Sequence, residues 1–286
     1  MNNLILSPVE KLGNIFFKRE DLYEGIGGIN GTKLRQAEYL VDTIIKQNPK
    51  TKGIVTGCSI HSPQAAIVAG VCKQKNIKCI VCYGGTTLAT LKKMPMPILA
   101  SKLGASIQIV SKTGRHNVIY SRIKSLYPDY GIIEYGMCIK EELTNMISNI
   151  SQQVQNIPDE LDNLVITCGS GFSSSSVLQG ILKYGKKIKN IYLVHVAPNR
   201  IAKIKKNIGV LPNNVIPIML FDRKNFHYED ESKCFYYGIE FHPKYEAKAF
   251  NWLMNESKID IIKESTLFWI IGKEPKFTKI INNIKK

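Results

Sequence analysis

One lysine, two glycine-bearing loops and a string of serines are the residues here whose types and spacing could do chemistry. In "FKREDLYEGIGGINGTKLRQAEYL" (17–40), Lys33 follows Gly27, Gly28 and Gly31 and opens a helix-like run, with Arg35 after it. An ordinary surface lysine needs no such loop, whereas an amine acting as nucleophile or forming a Schiff base does. In "VITCGSGFSSSSVLQG" (165–180), a hydrophobic strand runs into Gly169-Ser170-Gly171, then four serines from Ser173, then an apolar helix. Glycines let backbone N–H groups approach an anion, serines add donors, and the helix dipole favours negative charge. The loop has neither the Gly-Lys-Ser/Thr of a P-loop nor G-x-G-x-x-G spacing, so a small monophosphate fits better than a triphosphate or dinucleotide.

Two further strand exits carry polar groups. "TGCSIHSPQAAIVAG" (56–70) ends a strand at Gly57 and presents Ser59, His61, Ser62 and Gln64. Ser62 is a natural N-cap with Pro63 in the first turn. The simple reading is a cap alone; the functional one is a helix N-terminus that receives a carboxylate or phosphate. "GIEFHPKYEAKAFNWL" (238–253) puts Tyr245 and Glu246 at the start of an apolar helix. Glu246 there could merely complement the dipole. A lysine able to carry an imine, a phosphate loop and a carboxylate that protonates a pyridine nitrogen together point to pyridoxal 5'-phosphate.

These groups need a scaffold. Apolar runs at 53–57, 77–84, 106–110, 131–135, 163–169, 190–197 and 266–272 read as strands buried on both faces. Helical patterns fill 33–48, 63–75, 90–103, 114–126, 139–156, 174–184 and 246–257, while 205–244 is less regular, with loops and one or two short strands. Alternation of this kind predicts an α/β protein with open, twisted, mostly parallel sheets flanked by helices, with ligands beyond the carboxyl ends of the strands.

The 286 residues, 44% hydrophobic and 22% charged, allow two lobes with real cores and exclude a disordered chain. No apolar stretch is long enough to span a membrane, and the first residues do not read as a signal peptide. The seven cysteines are odd in number and scattered, which suggests free thiols in a reducing compartment and hence a cytoplasmic protein. Cys79 and Cys82 form a C-x-x-C inside a strand, so they point to opposite faces, and no metal site is expected. Lysine plus arginine is 39 against 23 acidic residues, a net charge of +16. Such a field attracts phosphate, anionic substrates or nucleic acid; the plainer explanation is the Lys, Ile and Asn bias of an AT-rich genome.

The segments at 17–40, 57–70 and 132–137 ("IIEYGM"), with "TCGSGFSSSS", "GIEFHPKYEAKAF" and "LFWIIGKEP", occur in an order that resembles the fold-type II, tryptophan-synthase-β-like pyridoxal phosphate enzymes. The nearest branch in that likeness is the 1-aminocyclopropane-1-carboxylate deaminases and D-cysteine desulfhydrases. The resemblance covers residues 17–275. It implies that Lys33 forms the internal aldimine and moves protons at the α-carbon. Gly169, Ser170, Gly171, Ser173 and Ser174 would hold the phosphate, Glu246 would face the pyridine nitrogen, and Ser62 and Tyr245 would act at the substrate, with Ser59 and Gln64 beside them. Departures occur as well: the asparagine expected at the cofactor's 3' oxygen is Pro63, with His61 as a substitute donor; the asparagine before the lysine is Thr32; and a closing threonine is absent at Ile270–Lys273.

The resulting expectation is a lyase or deaminase acting at the α- or β-carbon of a small amino acid. A first alternative is a decarboxylase or lyase of an amino-acid adduct on nucleic acid, such as a hypermodified phage base; a second is a non-catalytic binding protein. The expected large, cofactor-binding domain spans 1–52 and 141–286, and the small, substrate-side domain 53–140. The likeness also implies a homodimer.

Overall fold

The computed structural model describes residues 5–137 and 139–274; the first four residues, Cys138, Pro275 and the C-terminal basic run lie outside them. The chain forms two compact units, a larger one of residues 5–23 and 143–274 and a smaller one of residues 24–142.

The larger unit opens with a hairpin, β1 (Val9–Leu12) and β2 (Ile15–Arg19), turned at Gly13. The chain then builds the smaller unit in order: α1 (Thr32–Gln47), β3 (Ile54–Gly57), α2 (Gln64–Gln74), β4 (Cys79–Gly84), α3 (Leu88–Leu91), α4 (Pro95–Lys102), β5 (Ser106–Ser111), α5 (His116–Leu126) and β6 (Gly131–Ile133). It returns to the larger unit through α6 (Leu143–Ser151), β7 (Glu160–Cys168), α7 (Phe172–Tyr184), β8 (Lys187–His195), α8 (Ile201–Ile208), β9 (Val215–Met219), the two-residue strands β10 (Phe235–Tyr236) and β11 (Ile239–Glu240), α9 (Glu246–Asn255) and β12 (Thr266–Ile270).

The larger sheet has the order β1-β2-β12-β7-β8-β9, parallel throughout except for the β1–β2 hairpin. Alternation along its strands feeds two cores. Val165, Phe268, Phe17 and Val194 join α9 through Phe250 and Trp252 on one face. Leu164, Ile166, Trp269 and Leu193 join Val177, Leu178 and Ile204 of α7 and α8 on the other. The smaller sheet is all parallel, in the order β5-β4-β3-β6, with α5 covering Val55, Ile80 and Cys82. Cys79 and Cys82 are both buried free thiols; that of Cys79 lies beside the Cys72 thiol of α2 whereas Cys82 sits under α5, so the two do point to opposite faces.

The predicted α/β class with parallel sheets between helices is the one observed, with four differences of detail. The helix expected over 90–103 is two helices, because Pro95 pushes Met94 into an extended conformation (φ −91°, ψ 132°) and then starts α4. The strand at 106–110, expected to be buried on both faces, is an edge with Ser106, Gln108 and Ile109 exposed. Residues 201–208 are helical, and the 205–244 region holds three short strands rather than one or two. Finally, residues 24–52 pack with the smaller unit, so the boundary lies at 23/24 rather than 52/53. Ile44 of α1 fills the space left by Gly131 at the start of β6, where a Cβ would stand 2.1 Å from the isoleucine, and α1 packs on α2.

Candidate active site

Lys33 occupies the first turn of α1 and its side chain is exposed. The loop before it needs glycine: Gly27, Gly28 and Gly31 have φ of +78°, +71° and +82°, a region that side chains with a Cβ avoid. The Gly31 carbonyl accepts the Leu34 N–H at 3.0 Å and so starts the helix without a side-chain cap. Gly70 of α2 lets this loop approach, since a Cβ there would meet Ile29 at 2.6 Å. The turn and the close packing fix where the amine is carried.

In the same unit, Ser59–Ser62 form a tight turn closed by a Ser62 N–H to Ser59 carbonyl bond of 3.0 Å. Ser59 and His61 are exposed on it. Ser62 Oγ accepts the Gln64 N–H at 3.3 Å across Pro63, which itself takes the cap position of α2, and the Ser62 O–H remains a donor. Gln64 is buried and its amide is held at both ends: Nε2 donates to Thr56 Oγ1 (2.7 Å) and to the Glu134 carbonyl (2.9 Å), while Oε1 accepts the Gly136 N–H (2.9 Å). It ties the exits of β3 and β6 together.

The larger unit carries the serine loop. Gly171 is left-handed (φ +82°), and a Cβ there would press on Arg200 at 3.1 Å and Ile204 at 3.3 Å. The four serines divide in two. Ser175 and Ser176 bond back to the Gly171 and Phe172 carbonyls at 2.8 and 3.2 Å, the behaviour of structural helix serines. Ser174 is 1% exposed and, among the described residues, its hydroxyl has no oxygen or nitrogen partner and only the Cys168 thiol beside it, a state that a ligand oxygen would improve. Ser173 beside it is half-buried, and open space lies in front of Gly169. Lys203 Nζ donates to the Ser170 carbonyl at 3.0 Å and Arg200 Nε to that of Gly169 at 3.4 Å, which adds positive charge to the loop. With the uncapped first turn of α7, these groups fit a phosphate monoester.

Tyr245 and Glu246 stand together at the start of α9. Glu246 is 3% exposed and its Oε1 accepts the Ile271 N–H at 3.2 Å, so the carboxylate is anchored to the exit of β12. The Tyr245 hydroxyl shares a 2.8 Å hydrogen bond with that of Tyr228. Burial, helped by that bond, raises the Tyr245 pKa, and the phenol keeps its proton across neutral pH.

Sequence reasoning missed several groups. His195, at the end of β8 and paired with Cys168, is fully buried, and among the described residues neither ring nitrogen has a hydrogen-bond partner. Burial lowers its pKa, against an opposing pull from Asp222. Tyr228, Arg200 and Lys203 were also missed; "VAPNR" (196–200) leaving β8 was the available signal for the arginine. Among the described residues no cluster of three metal-ligating side chains occurs, and no helix is long and apolar enough to cross a membrane. A groove of about 450 Å³ at the amino ends of β7 and β8 is lined by the ion pairs Lys187–Glu160 and Lys189–Asp162, which neutralise one another there.

No protein-family model matches the chain. An O-seryl-dTMP PLP-dependent decarboxylase of Salmonella phage ViI is 25% identical over 95% of this chain and 81% of its own length. A glycyl-dTMP PLP-dependent decarboxylase of Pseudomonas phage M6 is 24% identical over 96% of this chain and 99% of its own. Among solved structures, an ACC deaminase homologue superposes with a TM-score of 0.71 at 18% identity, covering 99% of this chain and 94% of that one. The fold is that of the fold-type II pyridoxal phosphate enzymes, as the sequence resemblance implied.

Proposed function

We propose that this protein is a pyridoxal 5'-phosphate-dependent decarboxylase of an amino-acid adduct of thymidine monophosphate. The observation that carries this reading is the pair of phage relatives, both named as decarboxylases of such adducts and both aligned along nearly the whole chain. Our reading takes up the nucleic-acid alternative raised by the +16 charge in preference to a deaminase of a free amino acid, and the phage relatives support it. Loss of CO2 is itself a lyase reaction, so the broader class is unchanged.

When bound, the cofactor supplies an aldehyde that bonds an amine and a ring that accepts the electron pair released at the α-carbon. Lys33 is the amine assigned to that aldehyde. The Ser174 hydroxyl, with Ser170, Ser173 and the glycine amides, is assigned to the phosphate, and the anchored Glu246 carboxylate to the ring nitrogen. The free O–H of Ser62 can donate to the substrate carboxylate. As the bond from the α-carbon to the carboxylate breaks, CO2 leaves and a proton must replace it at that carbon. The Lys33 ammonium and the Tyr245 phenol are the two donors assigned to that step.

The test is direct. Protein supplied with cofactor is given seryl and glycyl adducts of thymidine 5'-monophosphate labelled at the carboxyl carbon. Release of labelled CO2 from an adduct, with free serine and glycine untouched, supports the reading. Release of ammonia with the carboxyl group retained would show a deaminase instead.

A further inference from the structure

The smaller unit carries an aromatic pair that none of the roles above uses. Tyr135, just beyond β6, is 52% exposed, and its ring lies on that of His116 at the start of α5, with centroids 3.8 Å apart and planes 29° from parallel. Exposed single aromatics are common, but this one is held in place from both sides. The Gln64 amide bonds the carbonyl of Glu134 and the N–H of Gly136, at 2.9 Å each, so the peptide groups flanking Tyr135 are pinned to the first turn of α2. The floor is equally fixed: the Tyr120 hydroxyl donates to the Gly57 carbonyl at 2.6 Å. His116 Nδ1 is buried with no hydrogen-bond partner among the described residues, and burial lowers the pKa of the ring, which favours its neutral form.

Around the pair is an open groove of about 430 Å³ lined by His116, Asn117, Ser121, Lys124, Glu134 and Tyr135. It lies beyond the carboxyl ends of β3 and β6, where ligands of parallel sheets gather. Its chemistry is specific. A rigid aromatic face suits a base, because every base offers a π-face to stack. Asn117 and Ser121, one turn apart on α5, supply donors and acceptors that match the imide edge of a pyrimidine. Lys124, paired only loosely with Glu134 at 3.7 Å, adds positive charge for a phosphate.

We propose that Tyr135, stacked on His116 and positioned by Gln64, is the platform that receives the pyrimidine ring of a nucleotide substrate, with Asn117 and Ser121 at the edge of the base. The proposal rests on the adduct reading above and names the site for the part of the substrate that does not react.

The experiment titrates thymidine 5'-monophosphate and 2-deoxyribose 5-phosphate into the full-length protein by calorimetry, for wild type, Tyr135→Phe and Tyr135→Ala. Wild type and Tyr135→Phe should prefer the nucleotide by about tenfold or more, the usual worth of one stacked base. Tyr135→Ala, melting at the wild-type temperature, should lose that preference and raise KM for the adduct with kcat nearly unchanged. Equal nucleotide affinity in wild type and Tyr135→Ala, or a nucleotide that binds no better than the sugar phosphate, would overturn the platform. Nucleotide binding that depends on Tyr135 without CO2 release would keep the platform and sink the decarboxylase. CO2 release with an unchanged KM in Tyr135→Ala would do the reverse.

Discussion

The hydroxyls of Tyr245 and Tyr228 lie 2.8 Å apart in one hydrogen bond, at the start of the helix that also carries the buried Glu246. That bond turns an expected substrate-side tyrosine into one of a pair and holds the Tyr245 hydroxyl in place, with either oxygen able to donate. Tyr228→Phe removes the partner and leaves the ring packing. Its expected effect is a kcat lower by about tenfold, the worth of one neutral hydrogen bond, with KM little changed. Tyr245→Phe should lose more. An unchanged kcat in both, measured by CO2 release, would place the proton donor elsewhere.

The serine string makes a sharper prediction because its members differ. Ser174→Ala removes a buried hydroxyl with no oxygen or nitrogen partner among the described residues. Cofactor affinity, followed by spectroscopic titration, should fall about tenfold, while urea stability holds or rises. Ser175 Oγ donates to Gly171 and accepts from Asn207 at 3.0 Å, so Ser175→Ala should cost about 1 kcal/mol of stability and leave cofactor affinity alone. Equal effects on cofactor binding from both would contradict the division.

His195 predicts a pH effect. Burial lowers its folded pKa below the unfolded value of about 6.5. Above that value both states hold the neutral ring; as pH falls below it, the unfolded chain takes up a proton that the folded one refuses. Stability therefore declines on acidification through that window, until the folded ring also protonates. The limiting slope is about 1.4 kcal/mol per pH unit. Urea midpoints between neutral and mildly acid pH should be less pH-dependent in His195→Gln than in wild type; parallel curves would show that the ring does not titrate in this way.

The net charge of +16 gives a salt prediction. If it serves a nucleic-acid substrate, affinity for a thymidine-containing oligonucleotide should drop about tenfold or more between low and physiological salt as counterions are released. Salt-independent binding would leave the charge to compositional bias.

Much of this was legible because the strongest signals were local. The apolar runs that became β3, β4, β7, β8 and β12 are buried strands whose pattern owes little to the rest of the chain. The glycines before Lys33 and the Gly171 turn follow from backbone geometry alone. What escaped depends on neighbours distant in sequence. That Ser175 also takes a bond from Asn207 on another helix, while Ser174 takes none from an oxygen or nitrogen among the described residues, is not in the local sequence. The bonds of Gln64 to Glu134 and Gly136, some seventy residues later, are likewise not in its local sequence. The 106–110 run gave no sign that it ends the sheet, because edge position is a property of strand order. Residues 201–208 hide their helix behind three lysines and a single buried residue, Ile204.

The central claim is that Lys33 carries the cofactor. Protein incubated with pyridoxal 5'-phosphate, reduced with borohydride and digested, should yield one phosphopyridoxyl peptide with the label on Lys33. Lys33→Ala should lose that label with little change in melting temperature, since the side chain is exposed. Label on another lysine of the wild-type protein, or undiminished label in the variant, would contradict the account.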